Sequence, residues 1–455
     1  MKDMFDPDTI AVVGSSDREG KVGKLVFDHL RSSGRKIFPV NPSYTEIEGI
    51  RCYGSVMEID EPIDLCVICT PAEVAVANVR ECVARGVKYV IPVAGGFGET
   101  GERGRELEYE IRKGIEKTPT RVLGPNTLGI YVPGKLDTMF LDRGRSPRPG
   151  EGKIALVSQS GATAATIMNS ANLYSIGFSA FVGLGNRIDL DENDFIEYFS
   201  HDDKTGSIAL YLESFSSGMR FREVVSGCEK PLVLLKAGRS EAGAKAAASH
   251  TGSLSGSGRI INGLCDQYGI TRAYDEEELI DFARVLANSD PFSGDMIAVV
   301  TTAGGHGVIA TDYIESKERG IGLRLAELSE GGRKELKKLA LPFASLKNPV
   351  DLTASADDGM YARTLEILME DPNVDAILAS VLFDPPGMSE RLVDIVKGLE
   401  RKKPLVVYTV GAEMSIRAIN EFEKAGIPAY PSIWRGVRAL GALHGRGRFL
   451  EGKNG

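Results

Sequence analysis

The chain has 455 residues, 42% of them hydrophobic and 26% charged, which excludes an intrinsically disordered segment and a long coiled coil. That length exceeds what one core holds, so two to four domains are expected. A formal net charge of −9 disfavours nucleic acid or an anionic membrane as a partner and points to small-molecule chemistry.

The opening MKDMFDPDTIAVVG has no apolar signal core, and no later stretch reaches 18 uninterrupted apolar residues, so a cytoplasmic protein with no membrane partner is expected. In the first 150 residues the strands read as IAVVG (10–14), KIFPV (36–40), DLCVIC (64–69), KYVIPV (88–93) and RVLG (121–124). They are short, apolar on both faces and β-branched, as in a doubly covered parallel sheet. Amphipathic helices are expected between them, over 22–34 and 73–86. Cys66 and Cys69 form a CxxC, but inside a buried strand their side chains would face opposite ways, and no second pair or nearby His completes a zinc site. No metal is expected, and the cysteine usage suits a reducing compartment.

The charged, Pro- and Gly-rich stretch 141–153 reads as a linker, and NSDPFSG (288–294) as a second break. The expected division is a Rossmann-like domain over 1–145, a flavodoxin-like domain over 151–288, a second one over 295–446 and a flexible tail over 447–455. The two flavodoxin-like segments resemble each other: IALVSQSGATAATI (154–167) parallels IAVVTTAGGHGVIA (297–310), and KPLVLLKAG (230–238) parallels KPLVVYTVG (403–411). An internal duplication follows. Only the first copy continues into SHTGSLSGS (249–257), while the second runs straight into a helical pattern.

Three strand-to-helix turns are built to receive an anion at a helix N-terminus. In GSSDREGKVGK (14–24), Gly14 permits the turn, and Arg18, Lys21 and Lys24 suit a phosphate-bearing ligand. The residues at the end of the second strand are Asn41 and Pro42, where a dinucleotide site wants an acid, so NAD is disfavoured. SQSGATAAT (158–166) crowds Ser158, Ser160, Gly161 and Thr163 into the second turn; Gly304, Gly305 and Gly307 do the same in the third. Each alone is equally an ordinary βα turn. Together, the duplicated turns could converge on one phosphate. His250 heads the Gly/Ser-rich loop; read alone it is an ordinary loop histidine, but a neutral imidazole can carry a phosphoryl group if a carboxylate holds the ring. Glu213, ending the apolar strand of SIALYLESF (207–215), supplies one.

The combination of VSQSG, YLES and SHTGSLSGS after an α/β domain resembles the nucleoside-diphosphate-forming acyl-CoA synthetase superfamily, which includes succinyl-CoA synthetase. The order of parts is most similar to the α subunits of the archaeal ADP-forming acetyl-CoA synthetases, over about residues 5–445. The resemblance implies three consecutive open α/β domains, with His250 as the phosphorylated histidine and Glu213 as its orienting carboxylate. Ser160 and Gly161 would begin one phosphate-facing helix, and Gly304, Gly305 and Gly307 the other. Coenzyme A would lie against Gly14, Ser16, Asp17, Arg18 and Lys21, against Thr70 and Pro71, and against Gly95 and Gly96. GPNTLG (124–129) would sit near the acyl transfer site, with Asn126 a polar contact. The family's succinate-type enzymes carry a Lys after the second strand and a Tyr on the domain-two helix; NPSYTE and Ala165 stand here instead, which favours a smaller or apolar monocarboxylic acid.

What the resemblance implies for the reaction is acyl-CoA + ADP + phosphate ⇌ carboxylic acid + CoA + ATP. Nothing in the chain reads as an ATP-grasp region, so ADP or ATP with its Mg would be bound mainly by a separate ATP-grasp β subunit, in an α2β2 heterotetramer. Other readings are a non-catalytic CoA-binding regulator, another acid–CoA ligase subunit of the superfamily, a protein acetyltransferase fragment or citrate-lyase-like chain, and an NAD-dependent dehydrogenase.

Overall fold

A computed structural model describes residues 1–240, 242–243, 258–316, 321–339, 344–411 and 413–454. They form two compact units: Met1–Asn172, Gly177–Lys230 and Leu234–Tyr268 make the first; Leu173–Ile176, Pro231–Val233 and Gly269–Gly455 make the second.

The first unit holds two large sheets besides a two-stranded antiparallel pair, Glu46–Ile47 with Ile50–Arg51. One consists of β1 (Thr9–Val13), β2 (Lys36–Val40), β3 (Leu65–Ile68), β4 (Tyr89–Pro92) and β5 (Arg121–Val122). Its order is β2-β1-β3-β4-β5, every pair parallel. Helices α1 (Val22–Arg31), α2 (Ala72–Arg85) and α3 (Glu102–Ile115) follow β1, β3 and β4, as the apolar runs and amphipathic stretches require. Because the order reverses between β1 and β3, the ligand crevice lies off their carboxyl ends.

The second sheet carries β6 (Ile130–Val132), β7 (Leu136–Asp137), β8 (Glu151–Ser158), β9 (Phe178–Gly183), β10 (Ser207–Leu212) and β11 (Leu232–Lys236). Neighbours run β11-β10-β8-β9-β6-β7. Strands β9 and β10 flank β8 in parallel, while β6 and β7 join antiparallel. Residues 130–137 thus pair with the second sheet, although their place in the chain put them with the first. Helices α4 (Gly161–Leu173), α5 (Glu192–Ser200), α6 (Gly218–Gly227) and α7 (Gly258–Tyr268) complete this layer.

In the second unit, α8 (Glu276–Asn288) precedes β12 (Met296–Thr301), α9 (Gly304–Ile314), β13 (Arg324–Leu325), α10 (Glu330–Leu339) and β14 (Val350–Asp351). Then come α11 (Asp358–Glu370), β15 (Ala376–Ser380), α12 (Arg391–Gly398), β16 (Leu405–Tyr408), α13 (Glu413–Lys424), β17 (Ala429–Tyr430) and α14 (Ile433–Asn454). The sheet runs β13-β12-β15-β16-β17, all parallel, with β14 on the end of β12. With β6, β7 and β14 set aside, β9-β8-β10-β11 in the second sheet and β13-β12-β15-β16 in the third share the strand order 2-1-3-4, as duplicated domains should.

Helix α8, at the end of the segment expected as the first flavodoxin-like domain, packs on α14 within the second unit. One expectation changes. The tail from 447, expected to be frayed, continues α14 to Asn454. A Cβ on Gly447 would stand 2.1 Å from the Phe292 carbonyl oxygen, so the missing side chain is what lets this turn press onto the chain.

Candidate functional site

Strand β8 delivers Ser158, whose Oγ donates to the Ser160 carbonyl at 2.8 Å. The Ser160 Oγ accepts the Thr163 N–H at 3.3 Å and its Oγ1 at 3.0 Å, so it caps α4. Between them Gln159 turns toward β10: its Oε1 accepts the N–H groups of Glu213 at 2.8 Å and Ser214 at 3.2 Å. The start of α4 and the end of β10 are thereby one assembly.

Glu213 is only 6% exposed, and its Oε2 is buried with no hydrogen-bond partner among the described residues. A carboxylate oxygen in that state costs several kcal/mol unless a donor arrives. Its main chain is held firmly: the buried Lys236 donates to the Glu213 carbonyl at 2.6 Å and to that of Ala237 at 2.5 Å. Arg187 donates to the Ser214 carbonyl at 2.9 Å and to Ser214 Oγ at 2.6 Å. Arg187 in turn meets Glu192 at 2.9 Å, with side chains 6% and 0% exposed. Glu192 also accepts from the N–H and Oγ of Ser216. His250 lies outside the described residues, as does the rest of SHTGSLSGS.

The GPNTLG turn reaches the same place. Gly185, with φ +59°, lies so close that a Cβ would stand 2.2 Å from the Pro125 carbonyl oxygen and 2.7 Å from that of Asn126. Thr127 Oγ1 donates to the Gly183 carbonyl at 2.5 Å. Asn126, exposed and with φ +55°, donates from Nδ2 to Asn186 Oδ1 at 3.2 Å. The Asn186 amide is gripped by Glu99 at 2.6 Å and Glu108 at 2.7 Å. Burial raises the Glu99 pKa, but the Asn186 amide and the N–H groups of Gly96 and Phe97 outweigh it and leave the carboxyl below its usual range.

Together these residues wall a cavity of about 570 Å³. Its polar side includes Glu99, Asn126, Gln159, Ser160, Gly161, Arg187 and Glu213; its apolar side is Leu128, Phe140, Leu141, Ala162 and Ala165. The sequence points to Ser160, Gly161, Glu213 and Asn126. It does not single out Gln159, Arg187, Asn186, Glu99 or Lys236, although Gln159 and Lys236 sit inside quoted motifs.

The residues named for coenzyme A divide. Gly14 (φ +81°) ends β1, and a Cβ on Gly23 would lie 1.9 Å from its carbonyl oxygen, so α1 starts directly against this turn. Ser16 is buried and accepts the Arg18 N–H at 3.1 Å; Asp17, Arg18 and Lys21 are exposed beside it. Thr70, past β3, accepts from Asn78, and Pro71 precedes α2. Lys24 is not available to a phosphate: it is buried against Asp28 and Glu48, 2.9 Å from each. Gly95 and Gly96 stand apart from this group, next to Glu99 and Asn126. Asn41 donates to the Ser15 carbonyl at 2.7 Å.

Gly304 and Gly305 are exposed at the start of α9, which has no side-chain cap, and Gly307 is buried against Pro349. They belong to the second unit. The Asp351 carboxylate lies 2.8 Å from where a Gly304 Cβ would be, partly balancing the positive helix end. No described helix is long and apolar enough to cross a membrane.

Three family models match in succession: a CoA binding domain over 8–133, a succinyl-CoA ligase like flavodoxin domain over 151–286 and a Ligase-CoA domain over 297–449. The alpha subunit of acetate–CoA ligase [ADP-forming] I from Pyrococcus furiosus is 39% identical over 97% of this chain and 96% of its own. The alpha subunit of ligase II from the same organism is 38% identical over 94% and 93%. Among solved structures, an acetyl-coenzyme A synthetase from Ca. Korarchaeum cryptofilum, in complex with phosphate and ADP, matches with a TM-score of 0.90 at 33% identity, covering 99% of this chain and 97% of that one. The chain belongs to the ADP-forming acetate–CoA ligase family, on its alpha-subunit side.

Proposed function

We propose that the chain catalyses the acyl and phosphoryl transfer steps of an ADP-forming acid–CoA ligase. Phosphate attacks the acyl-CoA thioester carbonyl; the C–S bond breaks, giving an acyl phosphate and CoA. The imidazole of His250 then attacks phosphorus, the P–O bond to the acyl group breaks, and the free acid leaves. The phosphohistidine passes its phosphoryl group to ADP with its Mg, giving ATP. That nucleotide is held by an ATP-grasp β subunit in an α2β2 assembly, in the cytoplasm.

The single observation that carries this reading is Glu213: a nearly buried carboxylate whose Oε2 has no partner among the described residues, on the cavity that also contains the start of α4. An imidazole N–H fits that vacancy, because the bond fixes the tautomer and leaves the other nitrogen free to attack. The first-turn N–H groups of α4 would then stabilise the transferred phosphoryl oxygens. Gly304, Gly305 and Gly307, at the start of α9, are assigned to phosphate binding as well. Coenzyme A is assigned to Gly14, Ser16, Asp17, Arg18, Lys21, Thr70 and Pro71, with its thioester end toward Gly95, Gly96 and Asn126.

The test uses the purified chain, acetyl-CoA and radiolabelled phosphate. An acid-labile, base-stable label is expected on the wild type and absent from His250→Ala. Equal label in His250→Ala would refute the assignment.

A further inference from the structure

The charged segment 141–148, read from sequence as a linker, packs as one wall of a separate cavity of about 370 Å³ in the first unit. Its other walls are the far end of α1 and the hairpin β6–β7. Helix α1 starts against the Gly14 turn and runs 10 residues, so this end lies about 15 Å away from it. No lining residue is shared with the cavity beside Glu213. Three cations, Lys135, Arg143 and Arg148, face a single carboxylate on these walls, Asp137, in a chain whose net charge is −9. Asp137 is 3% exposed and accepts from the Nε of both arginines at 3.0 Å. Arg148 is nearly buried and also donates to the carbonyls of Ser146 and Leu141. Arg143 is 44% exposed, and beyond Asp137 it meets only Ser32 Oγ, at 3.3 Å, among the described residues. Lys135 is 40% exposed, and its partner Asp6 is shared with Arg35.

We propose that this cavity binds the phosphoryl group of a small molecule through Arg143 and Lys135, at a site apart from the acyl and phosphoryl transfer steps. It goes beyond the synthetase reading and needs neither His250 nor Glu213. Asp137 holds Arg143 by its Nε, which leaves the Nη2 edge of the guanidinium for phosphoryl oxygens. The negative end of α1 is covered on this side, because Ser32 and Ser33 donate to the carbonyls of His29 and Leu30 at 2.7 and 2.5 Å. His29 donates from Nδ1 to the Met139 carbonyl at 2.8 Å, so the neutral ring keeps a lone pair on Nε2 for a ligand hydroxyl or amine. Burial lowers its pKa against the pull of Asp137 and the Met139 carbonyl, and the Arg143 and Arg148 charges lower it further. The volume leaves room for more than a bare ion, within the roughly 300–1,000 Å³ usual for small-molecule sites.

The experiment is equilibrium dialysis of the full chain against radiolabelled AMP and, separately, radiolabelled inorganic phosphate. AMP is neither substrate nor product of the proposed reaction, and excess CoA fills the crevice off β1 and β3. The read-out is the binding that Arg143→Gln removes, which sets aside phosphate held at a helix start. Arg143→Gln should raise the Kd about tenfold or more, Lys135→Gln should do so to a smaller degree, and added salt should weaken binding to the wild type. Both side chains are largely exposed and Asp137 keeps Arg148, so the variants should fold, which their melting curves check. AMP held more tightly than phosphate supports the proposal with a nucleotide as the source of the phosphoryl group; equal binding supports it with free phosphate as the source. No binding of either probe, a Kd that neither variant moves, or adenosine competing as well as AMP would overturn it.

Discussion

The most demanding prediction concerns Arg187 and Glu192, the buried pair behind Glu213. Replacing Glu192 by Ala leaves a guanidinium 6% exposed with no ion-pair partner and only the Ser214 oxygens as acceptors among the described residues. It also strips the Ser216 N–H and Oγ of their acceptor. Breaking a buried pair from one side costs about 3–5 kcal/mol, and no discount for solvent screening applies at this burial. For a unit of this size about 4 kcal/mol corresponds to a fall in Tm on the order of 10 °C. Arg187→Met should cost a comparable amount, because it leaves Glu192 buried with two neutral donors.

The double variant, Arg187→Met with Glu192→Leu, separates pairing from packing. Apolar replacement of both partners is often near neutral, so it should recover most of the loss, with a coupling of about 2 kcal/mol or more. Differential scanning calorimetry on the four chains measures this. The reasoning fails if Glu192→Ala lowers Tm by less than about 2 °C, or if the double variant loses the sum of the singles.

Glu213→Gln keeps the shape but weakens the acceptor for an imidazole, and the labelling rate of His250 should fall about 10- to 100-fold, the usual cost of losing an orienting partner. Gly185→Ala meets both a positive φ and a carbonyl oxygen 2.2 Å away, so it should destabilise by about 1–2 kcal/mol from backbone conformation alone, more as the GPNTLG turn shifts; chemical denaturation reads it. Because the Glu99 pKa is lower in the folded state, its contribution is present above the ordinary glutamate value of 4.5 and is lost as pH falls below it. Glu99→Gln should therefore flatten the acid limb of a stability–pH curve, and an unchanged limb would show that Asn186 and the Gly96 and Phe97 amides do not favour the charged form.

Much of the fold was legible because parallel strands covered on both faces read as apolar runs and each ends at a Gly- or Ser-rich turn. Glu213 was legible for the same reason, as an acid directly after such a run. Arg187 was not: it follows a strand like many surface arginines, and its burial depends on Glu192 and on Ser214, 27 positions away. The Asn186 clamp was equally hidden, since Glu99 and Glu108 reach it across 87 and 78 positions. Lys24 misled because its charge reads the same whether it faces a phosphate or two acids. Strands β6 and β7 are too short to show periodicity, and the glycines of the tail read as flexibility when Gly447 instead permits close packing.

Register shows why only one of the duplicated domains carries the histidine loop. Ser158 pairs with Tyr211 in the second sheet, and Thr301 pairs with Ser380 in the third. The local frames agree, since Ser158 Oγ and Thr301 Oγ1 both donate to the carbonyl two residues on. Counting from those pairs, Glu213 corresponds to Leu382, which is 8% exposed. One copy therefore presents a buried carboxylate whose Oε2 has no partner among the described residues, where the other presents a leucine. The second copy's acid stands instead at Asp351, on β14 and against Gly304, where it tempers a helix end. A phosphorylated histidine needs a fixed tautomer as much as it needs oxyanion donors. Duplication supplied both copies with a helix start, but only the one with Glu213 can meet the first requirement, and that is the copy whose strand β11 leads into SHTGSLSGS.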